Sequence, residues 1–217
     1  MTTFTNSPRL VKGGLVLIDP KSANVERVIT LQYNPDSLSR SFQLQSSGSD
    51  QGTRSQALRL RGPAVESIKL EAMIDATDSL EVADSTAAQV GIHPQLAALE
   101  TMLHPTASRL NQNNQLAKSG TLEIIPMETP LALFVWSKQR IVPVRLTELS
   151  ITEEAFDPAL NPIRAKVSLG LRVLSVDDLG FDHKGGSLYM SYLQMKEGLV
   201  KKALGGTLGT LGIDKIP

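Results

Sequence analysis

Glu66-Ser67-Ile68-Lys69-Leu70-Glu71-Ala72-Met73-Ile74-Asp75-Ala76 is the stretch that decides the fold. Ile68, Leu70, Ala72 and Ile74 occupy one parity; Ser67, Lys69, Glu71, Met73 and Asp75 occupy the other. Successive side chains of an extended chain point to opposite faces, so a period of two predicts a strand with one face in a core. Residues 164–175 repeat the pattern, with Ala165, Val167, Leu169, Leu171 and Val173 set against Lys166, Ser168, Gly170 and Arg172. Between 142 and 152, Val142, Val144 and Leu146 share a face. Leu149 and Ile151 resume it after a change of phase at Glu148, which predicts a β-bulge or a bend.

Working outward, short β-favouring runs occupy 14–18, 25–33, 39–45, 121–125 and 131–136. The third places Phe42 and Leu44 on one face. Asp19-Pro20 and Asn34-Pro35-Asp36 are turn signals between the early runs. Together they predict a mainly β (α+β) chain that opens with an antiparallel meander. The period changes over 92–104, where Ile92, Leu96, Leu99 and Leu103 recur every three or four residues. Pro94 suits a first helical turn and Pro105 stops the helix. One amphipathic helix on the sheet is expected. Residues 187–204 read as a second helix with Leu188, Tyr192, Met195, Leu199 and Ala203 on a stripe. Gly205, Gly206, Gly209 and Gly212 follow it, a density that cannot hold a lone helix. The expected division is a β domain over 1–178 and a helical, glycine-rich extension over 179–217. Polar stretches at 46–55, 110–120 and 155–162 are expected as loops or connections.

Composition narrows the chemistry. Twenty-two Lys and Arg balance 22 Asp and Glu among 217 residues. A phosphate-binding surface shows a basic excess, so nucleic acid is not the expected partner. Cysteine is absent, which removes disulfides, thiolate zinc sites and thiol catalysis. No apolar run approaches the roughly 18 residues that span a bilayer, and the first ten residues do not resemble a signal peptide. Direct membrane insertion is therefore not expected, and assembly in the cytoplasm is. His93, His104 and His183 lack a ligand-pair spacing, and His104 reads as a group at a helix C-terminus. Asp75, Asp78 and Glu81 lack the glycine and terminal Glu of a calcium loop and read as a solvated loop. No nucleophile elbow, phosphate loop or dinucleotide fingerprint occurs. The expectation is a protein without catalytic, cofactor or metal residues. A peptidoglycan- or carbohydrate-binding module is an alternative, weakened by one Trp and three Tyr for stacking on sugar rings.

Residues 31–40, LQYNPDSLSR, place Tyr33, Asn34, Pro35, Leu38 and Arg40 in a pattern that resembles the opening signature of tube-type proteins of contractile injection systems. Arg61, Gly62 and Pro63 and the strand after them are similar to that family's next segment. Phe134 and Trp136 in 130–136, Phe156, Asp157 and Pro158 in 149–158, and Asn161 and Pro162 in 161–169 continue the resemblance. In order and spacing it covers roughly residues 10 to 175. The resemblance implies a phage-tail-tube-like antiparallel β-sandwich or half-barrel with one packed helix, used in hexameric rings of a phage-tail-like particle. It implies a ring-forming adaptor or tube initiator between the inner tube and the spike or baseplate, with the chain itself and tube, spike and baseplate proteins as partners. The tube subunit itself is the alternative within the same class. Many relatives carry a C-terminal LysM module; here a helix and glycine tail stand in that place.

Overall fold

The computed structural model describes residues 10–45, 59–119, 129–203 and 205–216. The expected loop at 46–55 and strand at 121–125 lie outside them. Seven strands form one antiparallel sheet: β1 Gly14–Ile18, β2 Val25–Thr30, β3 Leu38–Gln43, β4 Val65–Asp75, β5 Leu131–Ser137, β6 Arg140–Glu153 and β7 Arg164–Val173. Their order is β2-β1-β5-β6-β7-β4-β3. The two stretches with the clearest alternation lie side by side as the fifth and sixth strands of that order, with Ile68 opposite Leu171 and Leu70 opposite Leu169.

The alternation reports burial faithfully. Ile68, Val142, Ala165 and Val167 are fully enclosed, and Leu15, Phe134, Leu169 and Leu171 nearly so. Moving such apolar surface out of water is the main favourable term in folding. The expected phase change in β6 is a bulge: the register with β7 shifts between Leu146 and Glu148. The extra residue is Thr147, whose hydroxyl donates to the Gly170 carbonyl at 3.0 Å. Pairing then resumes with Glu148 opposite Gly170 and Leu149 opposite Leu169, so Leu149 and Ile151 turn back to the core.

The sheet curls. Gln32, just after one edge strand, exchanges two hydrogen bonds with the backbone of Asp75 near the other edge, at 2.7 and 2.8 Å. Helix α3, His93–Glu100, lies over the gap and buries Leu96 and Leu99. Arg27 of β2 reaches its Ala98 carbonyl and the Thr101 hydroxyl. The result is the expected half-barrel. On the β1–β5 half the opposite face is also apolar: Ile18, Leu131 and Leu133 pack with Leu174, Leu179 and Leu188.

More helix is present than the single packed helix expected before the extension. Numbered in chain order around α3, α1 is Thr77–Glu81, α2 is Ser85–Val90, α4 is Ala107–Lys118, α5 is Val176–Leu179 and α6 is Lys184–Val200. The expected loop at 110–120 is most of α4, and the expected acidic loop is α1. Neither buries a residue, so neither shows an apolar stripe. Thr106 caps α4 by accepting from the Arg109 N–H, and Asp84 caps α2 by accepting from Thr86 and Ala87. α3 ends at Glu100 rather than His104, which leaves Leu103 exposed and His104 outside the helix. α6 turns inward on Tyr189 and Tyr192, whereas Leu199 of the expected stripe is exposed. Leu208–Leu211 form a single exposed 3-10 turn.

Candidate functional site

The residues singled out from the sequence fall into five places. Asn34 reaches back to the start of β1: its carbonyl oxygen accepts from the Gly13 N–H at 2.9 Å and its amide donates to the Val11 carbonyl at 2.9 Å. Pro35, half-buried, fixes the turn that follows. The Tyr33 hydroxyl donates to Asp78 at 3.3 Å. Partial desolvation, then the Asp78 carboxylate, raise its pKa above the ordinary phenol value. This turn thus ties the N-terminal segment to the acidic helix α1.

Leu38 pairs with Leu70 and packs on the core. Two residues on, Arg40 meets a group that the motif reading did not include. Glu66 is 3 % exposed, and its carboxylate takes Arg40 at 2.6 Å and Lys196 at 3.2 Å. Arg40 also donates to the Tyr192 hydroxyl at 3.0 Å. The Lys196 ammonium lies 4.0 Å from the Tyr192 ring centre, and the Arg40 guanidinium 4.9 Å from that of Phe42. Two cations share one buried carboxylate, which keeps a costly buried charge partnered. The signal for Glu66 was its parity, since it lies two residues before Ile68 on the inward face.

Arg61, Gly62 and Pro63 form the entry to β4. The Arg61 N–H donates to the Gln45 carbonyl and the Gln45 amide to the Pro63 carbonyl, at 2.8 and 3.1 Å. A side chain at Gly62 would overlap the Asp177 carboxylate, so glycine lets α5 approach this turn. Phe134 is buried and Trp136 half-buried, with ring centres 5.8 Å apart. The tryptophan serves packing.

The last group is the turn after β6. Phe156 bridges to Pro162. Asp157 accepts from the N–H groups of Ala159 and Asn161 and from the Asn161 amide, each at 2.8 Å. Those bonds, the Asn161 side chain first, hold its carboxyl below the ordinary value of 3.8. Pro158 is exposed on the turn. Asn161 also donates to the Gln89 carbonyl, and the buried Pro162 carbonyl accepts from Ile92 at 2.9 Å. This turn therefore fixes the junction between α2 and α3.

The five places are separate structural clamps. Among the described residues, no three metal-ligating side chains cluster, and no helix is long and apolar enough to cross a membrane. His183 caps α6, its Nδ1 accepting from the Gly185 N–H. What the fold leaves open is strand edge. Neither outer strand, β2 nor β3, has a second described partner, and β5 pairs with β6 only as far as Val144. Leu146–Glu153 of β6 therefore has β7 on one side and no described strand on the other. Val25, Val28, Phe42 and Leu44 are more than half exposed on or beside the outer strands.

No curated protein matches the chain. Among solved structures, one similar chain belongs to the tail of an empty gene transfer agent particle computed with helical refinement in C6 symmetry. It has 13 % identity over 74 % of this chain and 90 % of that one, with a TM-score of 0.27. Another, from the virion of a native gene transfer agent particle, has 13 % identity, the same coverages and a TM-score of 0.26. The model of contractile injection system tube proteins matches residues 16–178, from β1 through α5. With its sheet and all five motif clusters inside or against that match, the chain belongs to the contractile injection system tube protein family, structural components of phage-tail-like particles.

Proposed function

We propose that this chain is a ring-forming adaptor that joins the inner tube of its particle to the spike and baseplate. The observation that supports an adaptor over a plain tube repeat is α6. It lies beyond the matched residues 16–178, yet it is built into the sheet: Tyr189 and Tyr192 enter the core and Lys196 holds the buried Glu66. An element seated this firmly can carry load to another component. Its far end carries the exposed Leu199 and Val200, and the turn beyond it the exposed Leu211. The role is structural, and the clamps around the sheet serve rigidity rather than chemistry. The family match itself favours a second reading, in which the chain is an inner tube subunit.

Electron microscopy of the purified chain, alone and mixed with the tube and spike proteins of its particle, separates the two. The adaptor reading expects discrete rings that do not elongate alone and that cap tubes when tube protein is added. Long tubes formed by the chain alone would establish the tube subunit, and a monomer inert to both partners would end both readings.

A further inference from the structure

The far end of α6 and the turn after it differ from the rest of the chain in composition, exposure and backbone. Residues 199–216 read LVKKALGGTLGTLGIDKI. Eleven uncharged residues separate Lys202 from Asp214, and four of them are glycine. Three lysines, Lys201, Lys202 and Lys215, stand against one aspartate in a chain whose net formal charge is zero. Among the described residues none of these lysines enters an ion pair. The apolar side chains are exposed. Val200, Leu211 and Ile216 are 72 %, 74 % and 75 % exposed, and Leu199, Leu208 and Ile213 are 44 %, 39 % and 42 % exposed.

The backbone, by contrast, closes on itself. The Thr210 hydroxyl accepts from the Thr207 N–H at 3.1 Å. The N–H groups of Thr210, Gly212 and Ile213 donate to the carbonyls of Thr207, Gly209 and Leu208 at 3.0, 3.1 and 3.2 Å. At the end of α6 the Lys202 and Ala203 N–H groups return to the Leu199 and Val200 carbonyls. Residues three apart in a 3-10 turn lie one above the other, so Leu208 and Leu211 share a face. Beyond their chain neighbours, no described atom lies within 4 Å of where a side chain at Gly205 or Gly212 would begin, so both ends of the turn stand clear.

Each feature suits a lipid surface. Apolar side chains gain by leaving water. A backbone that satisfies itself can follow them without stranding a donor. Flanking lysines are drawn to anionic headgroups. A protein-binding surface is built instead on aromatic and arginine anchors, and residues 199–216 contain neither.

We propose that residues 199–216 bind an anionic lipid surface, with Leu208 and Leu211 entering the headgroup layer and Lys201, Lys202 and Lys215 meeting the headgroup phosphates. The segment lies along the bilayer; no described helix is long and apolar enough to cross it. This goes beyond the adaptor reading. It holds for a single chain as for a ring, which would add the avidity of several copies.

Flotation of the full chain with vesicles tests the contact, using phosphatidylcholine alone and phosphatidylcholine mixed with phosphatidylglycerol. The chain is expected to float with the mixed vesicles at low salt and to stay behind with phosphatidylcholine alone. Lys201→Gln/Lys202→Gln should weaken partition about twentyfold, at about fivefold per lysine. Leu208→Ser/Leu211→Ser should abolish it. All four side chains are exposed, so circular dichroism and melting of both variants should match the parent. A parent that never floats, equal flotation with both vesicles, or variants that float like the parent overturns the proposal. So does a parent that ignores vesicles while Leu208→Ser/Leu211→Ser loses spike protein in a pull-down, because the segment then docks protein. Rings are scored separately by electron microscopy, so loss of flotation leaves the ring standing and loss of rings leaves the lipid contact standing.

Discussion

At the scale of single residues, Glu66 carries the largest electrostatic stake. Removing one partner of a fully buried ion pair costs about 3–5 kcal/mol because the other charge is stranded. Arg40 and Lys196 keep 25 % and 34 % of their side-chain surface in solvent, which screens them. Glu66→Gln is therefore expected to cost about 1–3 kcal/mol, with Tm falling about 2–4 °C per kcal/mol for a chain of this size. Glu66→Gln/Lys196→Met should recover part of that loss, and an unchanged Tm in the single variant would show that the cluster contributes nothing. Asp75 gives a pH signature. Burial pushes its pKa up, but hydrogen bonds from Thr77 and Arg164 outweigh it and hold it below the ordinary 3.8. A carboxylate depressed in the folded state stabilises above its unfolded pKa, and that contribution is lost as pH falls through the folded value. Acid melting below about pH 4 should be shallower in Asp75→Asn than in the parent; parallel curves would remove Asp75 from the account. The sequence reading passed over Glu66, although it shares the parity of Ile68, and parity says nothing of its partners. Lys196 stands 130 residues away, a distance that no local pattern spans.

At the scale of elements, the junction between α2 and α3 turns on Gly91. Its φ is +57°, a region that costs an L side chain, and a methyl group there would overlap the Pro162 carbonyl oxygen. Gly91→Ala is expected to lower stability by about 1–3 kcal/mol through backbone strain and displacement of the turn. Thermal melting measures it, and a stable variant would mean that the turn can move away. The strands were legible because each buries one face: the parity of 66–76 and 164–175 returned their core residues, and the broken phase at Glu148 returned the bulge. Helix α4 was illegible for the converse reason. Residues 107–118 bury nothing, so no stripe marks them; only the cap at Thr106 does. The motif turns were legible as turns, while their targets were not. Asn34 binds residues 11–13 and Asn161 binds Gln89, and only the folded sheet brings these together.

At the scale of the molecule, the question is how the extension joins the tube fold. A chain ending at residue 203 keeps every core side chain among the described residues. One ending at residue 183 removes Tyr189 and Tyr192, 7 % and 4 % exposed, and with them Lys196 of the Glu66 cluster. It also strips Leu188 from the second apolar cluster, uncovering Leu131 and Leu133. Losing one large buried aromatic side chain costs about 3–5 kcal/mol, and whole domains are stable by only about 5–15 kcal/mol. The shorter chain is therefore expected to lose cooperative melting or to precipitate. The longer one should melt within a few degrees of the full protein and still form rings. If residues 205–216 belong to the docking surface, those rings should bind spike protein more weakly while still capping tubes, as a pull-down on each partner would show. Cooperative melting by the shorter chain, near the parent Tm, would make α6 an independent appendage. The firm seating that supports the adaptor reading would then be gone.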